Sequence, residues 1–465
     1  MYEMNIGLEV HVELLTAHKI FCGCKNVFGA QINSNCCEIC MGLPGAIPVF
    51  NEECLKPAIK AGIILGCNIR EVTRFDRKNY FYPDLPKGYQ ISQLYEPFAY
   101  DGKVELTRNK KTIRIREIHM EDDAAKLMYE DGNIIVDYNR CGVPLAEIVT
   151  MPDFTCADEV VEFLEILRKD LRAAGVTDGK LEQGSMRADV NLSVRKEGEP
   201  MGTRTEIKNL SSFKAVSKAI EKESERQISL LEKGQKIRQQ TLGFDEQTFE
   251  IKIKREKENS NDYKYFPDPD LPPITISMEL ISSINEEIPE LPTIRERRLS
   301  REYGIRSEDA VTLVKEPALA DLYEASAKLT GLNDVTLNLV LSSLPSEGPL
   351  PTPEALSSVA SMLSSGKISS GMAKTVISET AKRGCDPESY VDEMGFTLIT
   401  DEGKIEEAVL NVLNDSSNSK AVEDLRSGKD KVLGFLLGKV MRELGGKGDP
   451  QKVREILLKY TCQND

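Results

Sequence analysis

The chain has 465 residues but only three histidines, His11, His18 and His119, and it lacks the short signatures of nucleotide and acyl-transfer chemistry. No G-x-x-x-x-G-K-[ST] loop occurs. Gly434-Phe435-Leu436-Leu437-Gly438-Lys439 is one residue short and sits in a helical pattern. G-x-G-x-x-G and G-x-S-x-G are also missing, which excludes the usual dinucleotide fingerprint and the nucleophile elbow. Ser364 to Gly371 has the look of a Ser/Lys amidase loop but reads more simply as a turn between helices, so glutaminase chemistry has no site here. No apolar run approaches the roughly 20 residues that span a bilayer. The start, Met1-Tyr2-Glu3-Met4-Asn5, has neither the basic nor the apolar region of a secretory signal. The expectation is a cytosolic, cytoplasmic protein with no membrane partner. Its eleven cysteines then read as metal ligands and buried thiols rather than disulfides.

What is present is enough for two or three domains, with 40% apolar and 29% charged residues. The net charge of −15 argues against a nucleic-acid binder taken as a sum. Its distribution is uneven: residues 401–465 hold 11 Lys and Arg against 12 Asp and Glu, a nearly neutral tail on an acidic body. That neither requires nor excludes an RNA partner.

Strand signals dominate the first part, to about Pro292. In Ile6 to Leu14 apolar and polar residues alternate, so Ile6, Leu8, Val10, Val12 and Leu14 face a core while Glu9, His11 and Glu13 project together. Ser185 to Arg195 alternates in the same way and presents Arg187, Asp189, Asn191, Ser193 and Arg195. Gly202 to Leu210 follows with Arg204, Glu206 and Lys208 on one side, and the two segments read as an antiparallel pair. Two helices interrupt. Thr155 is expected to cap one, with Asp158 three residues on, a stripe of Val160, Leu164, Leu167 and Leu171, and Gly175 as its stop. The other runs from Phe213 to Lys233, stops at Gly234, and carries charges that read as a solvated face.

After Pro292 helical signals take over. Ser343 to Pro351 is a Pro-rich loop, Thr352 caps a helix with Pro353 in its first turn, and short helices run from Lys404 onward with breaks near Ser427-Gly428 and Gly445-Gly446. The layout predicted is residues 1–292, a sheet domain; 293–398, a helical domain; and 399–465, a small helical tail.

Two constellations can carry chemistry. Cys22-Gly23-Cys24 and, twelve residues later, Cys37-Glu38-Ile39-Cys40 have the spacing of a closed tetrahedral zinc site that pins a loop, with Cys36 a competitor for Cys37 and unligated thiols the plainer alternative. Glu9 and His11, Glu121, and Glu147 lie on three separate strand-like segments. Carboxylates with at most one imidazole suit Mg2+ or Mn2+, and Arg187, Arg204 and Lys208 could neutralise a phosphoryl group. Any one of these taken singly is more simply a surface ion pair. Aromatics gather in Lys78 to Gln90 and Asp262 to Asp270, where Tyr beside Lys and Pro either stacks a base or wedges a loop onto its own sheet.

In Ile6 to Leu14, Arg77 to Gln93, His119 to Asp123, Asn139 to Val149, Glu182 to Val194, Glu206 to Phe213 and Asp262 to Pro269, the chain resembles the B subunits of the GatCAB aminoacyl-tRNA amidotransferases. The resemblance implies an α+β fold: a glutamine-synthetase-like antiparallel sheet cradle, an all-α helical domain and a YqeY-like tail. It implies that the cradle uses ATP and Mg2+ to phosphorylate the side-chain carboxylate of Glu on tRNA(Gln) or Asp on tRNA(Asn), after which ammonia displaces phosphate. Ammonia would come from a glutaminase A subunit, in a heterotrimer with a small C subunit. The implied metal ligands are His11, Glu121 and Glu147 with Glu9 adjacent, and His119 becomes a neighbour of the site. The catalytic set expected is Glu9, His11, Glu121, Glu147 and Lys208, with nucleotide contacts from Arg187, Asp189, Arg204 and Glu206. Some members carry the cysteine zinc site, and here all four ligands are present. Asp122 departs from the family, where a second Glu is usual, so that position is given no role.

Two other readings compete. A free-standing glutamine-synthetase-like ligase acting on a small acid would not need the helical tail. A non-catalytic tRNA-binding scaffold would leave the acidic strand faces as solvated decoration.

Overall fold

The alternation at residues 6–14 places a strand at the centre of a nine-stranded sheet. Its strands are β1 (Tyr2–Glu13), β2 (Asn68–Ile69), β3 (Ala99–Glu105), β4 (Thr112–Asp122), β5 (Pro144–Thr150), β6 (Met186–Lys196), β7 (Thr205–Leu210), β8 (Gln240–Asp245) and β9 (Glu250–Glu256). Their order across the sheet is β9-β8-β7-β6-β1-β5-β4-β3-β2. This computed structural model describes residues 2–256, 263–345, 347–396, 398–399, 401–426 and 430–462. They divide into two compact units, Met1–Thr293 and Ile294–Asp465.

One face of the sheet is dry. Ile6, Leu8, Val10, Val12, Ile118, Met120, Ile148, Val190 and Leu192 are buried in one cluster with residues of two helices, α1 (Ala157–Ala173) and α2 (Phe213–Glu232). The α1 stripe of Val160, Leu164, Leu167 and Leu171 is fully covered. Each such side chain contributes about 1.5–3 kcal/mol on leaving water, which makes the alternation binding: a one-residue slip would put Glu9 and His11 in the core. The opposite face is where polar side chains can meet.

The fold is mixed α+β, but the sheet is not wholly antiparallel. β7 and β8 run parallel, with Glu206 opposite Thr241 and Lys208 opposite Gly243. The reason lies in α2, a helical crossover that returns the chain to the same end of the sheet, which a hairpin turn cannot do. The helix start also differs from expectation. Cys156 is the N-cap of α1, and the Thr155 amide donates to Glu159 Oε2 at 2.8 Å, so the longer carboxylate at 159 displaces the Thr155–Asp158 arrangement. α2 is capped as a Ser should cap: Ser212 Oγ accepts from the Ala215 amide, and Gly234 follows at φ +69°.

A three-stranded sheet formed by Phe266–Pro267, Asp76–Asn79 and Tyr89–Ser92 meets the end of β4. There the Ile91 amide donates to Asp122 Oδ1 at 2.8 Å and Gln90 Nε2 donates to the Asp122 carbonyl at 2.9 Å. Both aromatic segments are thereby brought beside the polar face; Asp262 lies outside the described residues.

The second unit is helical and holds two separate apolar clusters. One is built around Leu313, Tyr323, Leu356 and Val376, the other around Ile405, Val409, Leu436 and Val440. Thr352 caps the helix Pro353–Ser364, and Gly434 to Lys439 lies within the helix Leu433–Glu443, not in a phosphate loop. Gly445 and Gly446, both at positive φ, end that helix; Ser427, Gly428 and Ser346 lie outside the described residues. No described helix is long and apolar enough to cross a membrane.

Candidate metal and phosphoryl-transfer site

Register assembles the site. His11 lies opposite Glu147 on one side and Arg187 on the other, and Glu147 lies opposite His119. A lateral row Arg187–His11–Glu147–His119 therefore crosses β6, β1, β5 and β4 on the polar face. Glu121, two residues along β4 from His119, reaches back into the row. His11 Nε2 is 3.3 Å from Glu121 Oε1 and 3.7 Å from Glu147 Oε2, and His119 Nε2 is 2.6 Å from Glu147 Oε2. One ligand atom each from His11, Glu121 and Glu147 falls within 4.8 Å of the others. This geometry fits a small divalent cation held by two carboxylates and an imidazole.

The electrostatics describe a site short of positive charge. Burial opposes protonation of His11, yet Glu147 and Glu121 outweigh it and hold the imidazole up at about 9. His119 is raised for the same reason, burial again opposed by Glu147. Burial alone would raise Glu147, but His119, His11 and Lys78 together hold it well below the carboxylate range. Two buried atoms of the row have no hydrogen-bond partner among the described residues, His119 Nδ1 and Arg187 Nε. Orphaned buried polar atoms cost about 1–3 kcal/mol each, and here they border a site that a charged ligand would fill.

A second acidic group sits beside the first. Glu9, opposite Asp189, and Glu206 offer ligand atoms within 4.8 Å of one another. Lys208 Nζ occupies this group, 2.6 Å from Asp189 Oδ2 and 2.9 Å from Glu206 Oε1. Burial works against its charge, but those two carboxylates raise the ammonium beyond the ordinary lysine range, so Lys208 is a fixed cation rather than a base. Burial, then Glu147, raises Glu9, whose Oε1 accepts from Asn191 Nδ2 at 3.0 Å.

Of the residues expected from sequence, Glu9, His11, Glu121, Glu147, Arg187, Asp189, Glu206 and Lys208 share this face, as their pairings above require. Arg204 takes no part in the ion pairs of this group. It is exposed, just ahead of β7, which begins at Thr205. Two residues were undervalued. His119 is fully integrated through Glu147, and the Lys78 ammonium lies 5.2 Å from the centre of the Tyr263 ring. Burial disfavours the charge on Lys78, but Glu121, Tyr265 and Glu147 together outweigh it and raise this lysine too. Its signal was in the sequence, a lysine at the head of an aromatic run, but which sheet that run would cover was not.

The cysteine centre lies elsewhere in the same unit. Sγ atoms of Cys22, Cys24, Cys37 and Cys40 lie within 4.8 Å of one another. Cys40 Sγ is 3.3 Å from Cys22, 3.8 Å from Cys37 and 3.9 Å from Cys24. Tetrahedral thiolates about 2.3 Å from zinc stand about 3.8 Å apart, so the donor set and spacing fit that ion. Cys36 turns away, its thiol donating to the Asn33 carbonyl at 3.4 Å, and Cys37 takes the fourth place. Fully buried Lys19 places Nζ 3.5 Å from Cys40 Sγ, where it offsets thiolate charge.

Comparison with known proteins gives the family. The GatB/GatE catalytic domain model matches residues 4–282, and the GatB domain model matches residues 326–460. The chain is 44% identical over 471 residues to the B subunit of the aspartyl/glutamyl-tRNA(Asn/Gln) amidotransferase of Lachnoclostridium phytofermentans, covering 98% of each. It is 45% identical over 474 residues to that of Caldicellulosiruptor saccharolyticus, again covering 98% of each, and 44% identical over 475 to that of Carboxydothermus hydrogenoformans. A glutamine-synthetase-like ligase of free acids and a bare scaffold are both disfavoured by matches along the whole length. The chain belongs to the GatB family of amidotransferase B subunits.

Proposed function

We propose that this chain, as the B component of a tRNA-dependent amidotransferase, uses ATP to phosphorylate the side-chain carboxylate of Glu or Asp esterified to a non-cognate tRNA, so that ammonia can replace the phosphate. The observation that carries the reading is the row Arg187–His11–Glu147–His119 with Glu121 folded into it.

A carboxylate is a poor electrophile with a poor leaving group, and phosphorylation corrects both. A divalent cation held by His11, Glu121 and Glu147 would supply charge neutralisation at the nucleotide phosphates. The protein's own residues do the rest. His119 donates to Glu147 and fixes the orientation of that carboxylate. Arg187, with its Nε free, offers a donor toward a phosphoryl oxygen. Lys208 keeps Asp189 and Glu206 from repelling an incoming anion. Lys78, flanked by Tyr80, Tyr263 and Tyr265, presents a charge in a desolvated wall where it acts at full strength. A second cation in the group of Glu9, Asp189 and Glu206 would have to displace Lys208.

The cradle resembling glutamine synthetase and the tail of residues 399–465 as a tRNA contact belong to this reading. So do structural zinc at the four cysteines, an ammonia-supplying A subunit and a small C subunit. The deciding experiment supplies ammonium chloride to the assembled enzyme and follows ATP cleavage and amide formation on Glu-tRNA or Asp-tRNA. Both are expected only with misacylated tRNA, and His11→Ala should abolish them while tRNA binding survives. Undiminished turnover in His11→Ala would sink the metal assignment.

A further inference from the structure

Arg187 is the cation nearest His11 along the row, and it is not left to find its own orientation. Its Nη2 is 3.1 Å from Asp123 Oδ2, and the same oxygen is 3.4 Å from Arg140 Nε. Asp123 Oδ1 is used as well, accepting from the Ala124 amide at 2.9 Å. Backbone bonds pin the residue on both sides: the Asp123 amide donates to the Val143 carbonyl, and the Gly142 amide donates to the Asp123 carbonyl. Arg140 is fixed in turn, donating to the carbonyls of Ala124 and Ala125 at 2.9 Å each.

The segments carrying Asp123 and Arg140 rest on the cysteine loop. Ala125, Cys141 and Cys40 are buried together, with Cys22, Cys24, Cys36 and Cys37 half-buried against them. The loop also grips the stretch just before Arg140. Asn139 Oδ1 accepts from the Asn35 amide at 2.8 Å, and Asn33 donates to the Val136 carbonyl at 3.0 Å and accepts from the Tyr138 amide at 2.7 Å. An exposed ion pair would mean little, but the Asp123 side chain is only 11% exposed and both its oxygens are committed.

We propose that Asp123 is a positioning residue for Arg187, and that the four-cysteine loop, closed by its metal, holds Asp123 in place. This rests on the reading of Arg187 as a phosphoryl contact. The metal centre would then support catalysis through packing and hydrogen bonds, without touching substrate.

The test is a double-mutant cycle in the assembled enzyme, driven by ammonium chloride, with kcat and KM for ATP measured separately. Arg187→Gln should lower kcat/KM by about 10- to 100-fold and Asp123→Asn by about tenfold. The double variant should be no worse than Arg187→Gln alone, and Asp123→Glu should recover part of the loss. Multiplication of the two effects would overturn the positioning role while leaving Arg187 as a phosphate contact. Wild-type kinetics in Arg187→Gln would overturn that contact and the positioning role with it. If Asp123→Asn does not fold, Arg140→Gln reads the same link: non-additivity with Arg187→Gln supports it and multiplication refutes it. The loop's part is read by hydrogen exchange at residues 123–125 and 138–143 after zinc is stripped with a chelator. Faster exchange is expected there, and unchanged protection would remove the cysteine loop from the mechanism.

Discussion

Glu147→Gln isolates the charge that organises the row. The substitution keeps the side chain's size and its place opposite His11 and His119 but removes one negative charge. Glu147 Oε2 lies 3.7 Å from His11 Nε2. At an effective dielectric of about 20 that separation corresponds to about 4 kcal/mol of attraction, an upper limit that desolvation reduces. In the metal-free protein His11 is held at about 9 against an ordinary value of 6.5. Protonation of His11, favoured by Glu147 and Glu121 together, therefore contributes up to about 3 kcal/mol of stability. Because the folded value is the higher one, that contribution is complete below pH 6.5 and is lost as the pH rises through 9. Metal binding runs the opposite way: it needs neutral imidazole, so Mg2+ or Mn2+ affinity should rise up to tenfold per pH unit toward pH 9. With three histidines in the chain, ring-labelled NMR can follow each one, using His18→Asn to remove the exposed signal. In Glu147→Gln the His11 midpoint should fall by more than one unit, and calorimetric Mn2+ affinity should drop at least tenfold. A His11 midpoint near 6.5 in the metal-free wild type, or one unmoved by Glu147→Gln, would refute the electrostatic account.

The purified chain should carry one zinc; Cys37→Ser should lose it while Cys36→Ser keeps it, by mass spectrometry of the native protein, and equal loss in both would reopen the choice between Cys36 and Cys37. Deleting residues after Asp401 should weaken tRNA binding while leaving the unfolding transition of the sheet unit intact, and unchanged affinity in a filter assay would count against a tail role. Arg204→Ala should change KM for ATP by less than about twofold, because this side chain is exposed; a tenfold rise would show that substrate draws it in.

What the sequence conceded and what it withheld follow from the range of the forces involved. Alternation is local, and it sorted Glu9, His11, Arg187, Asp189, Glu206 and Lys208 onto polar faces because burial of their apolar neighbours penalises any slip of register. Nothing local says that β1 pairs with both β5 and β6. That pairing joins residues more than 130 positions apart, and with the β5–β4 pairing it turns four polar faces into one row. The parallel β7–β8 pair was hidden for a related reason: both strands read the same in either direction, and only the helix between them decides. His119 and Lys78 were undervalued because their partners arrive from other strands. A histidine beside Glu121 in sequence looks like that residue's neighbour, whereas across the sheet it is Glu147 that it serves. The cysteine spacing was legible because its ligands are close in sequence. Its contact with the segments of Asp123 and Arg140 was not, since it depends on a loop packing under residues a hundred positions away. The chemistry of this site is thus written in short patterns, while its assembly is written in strand order.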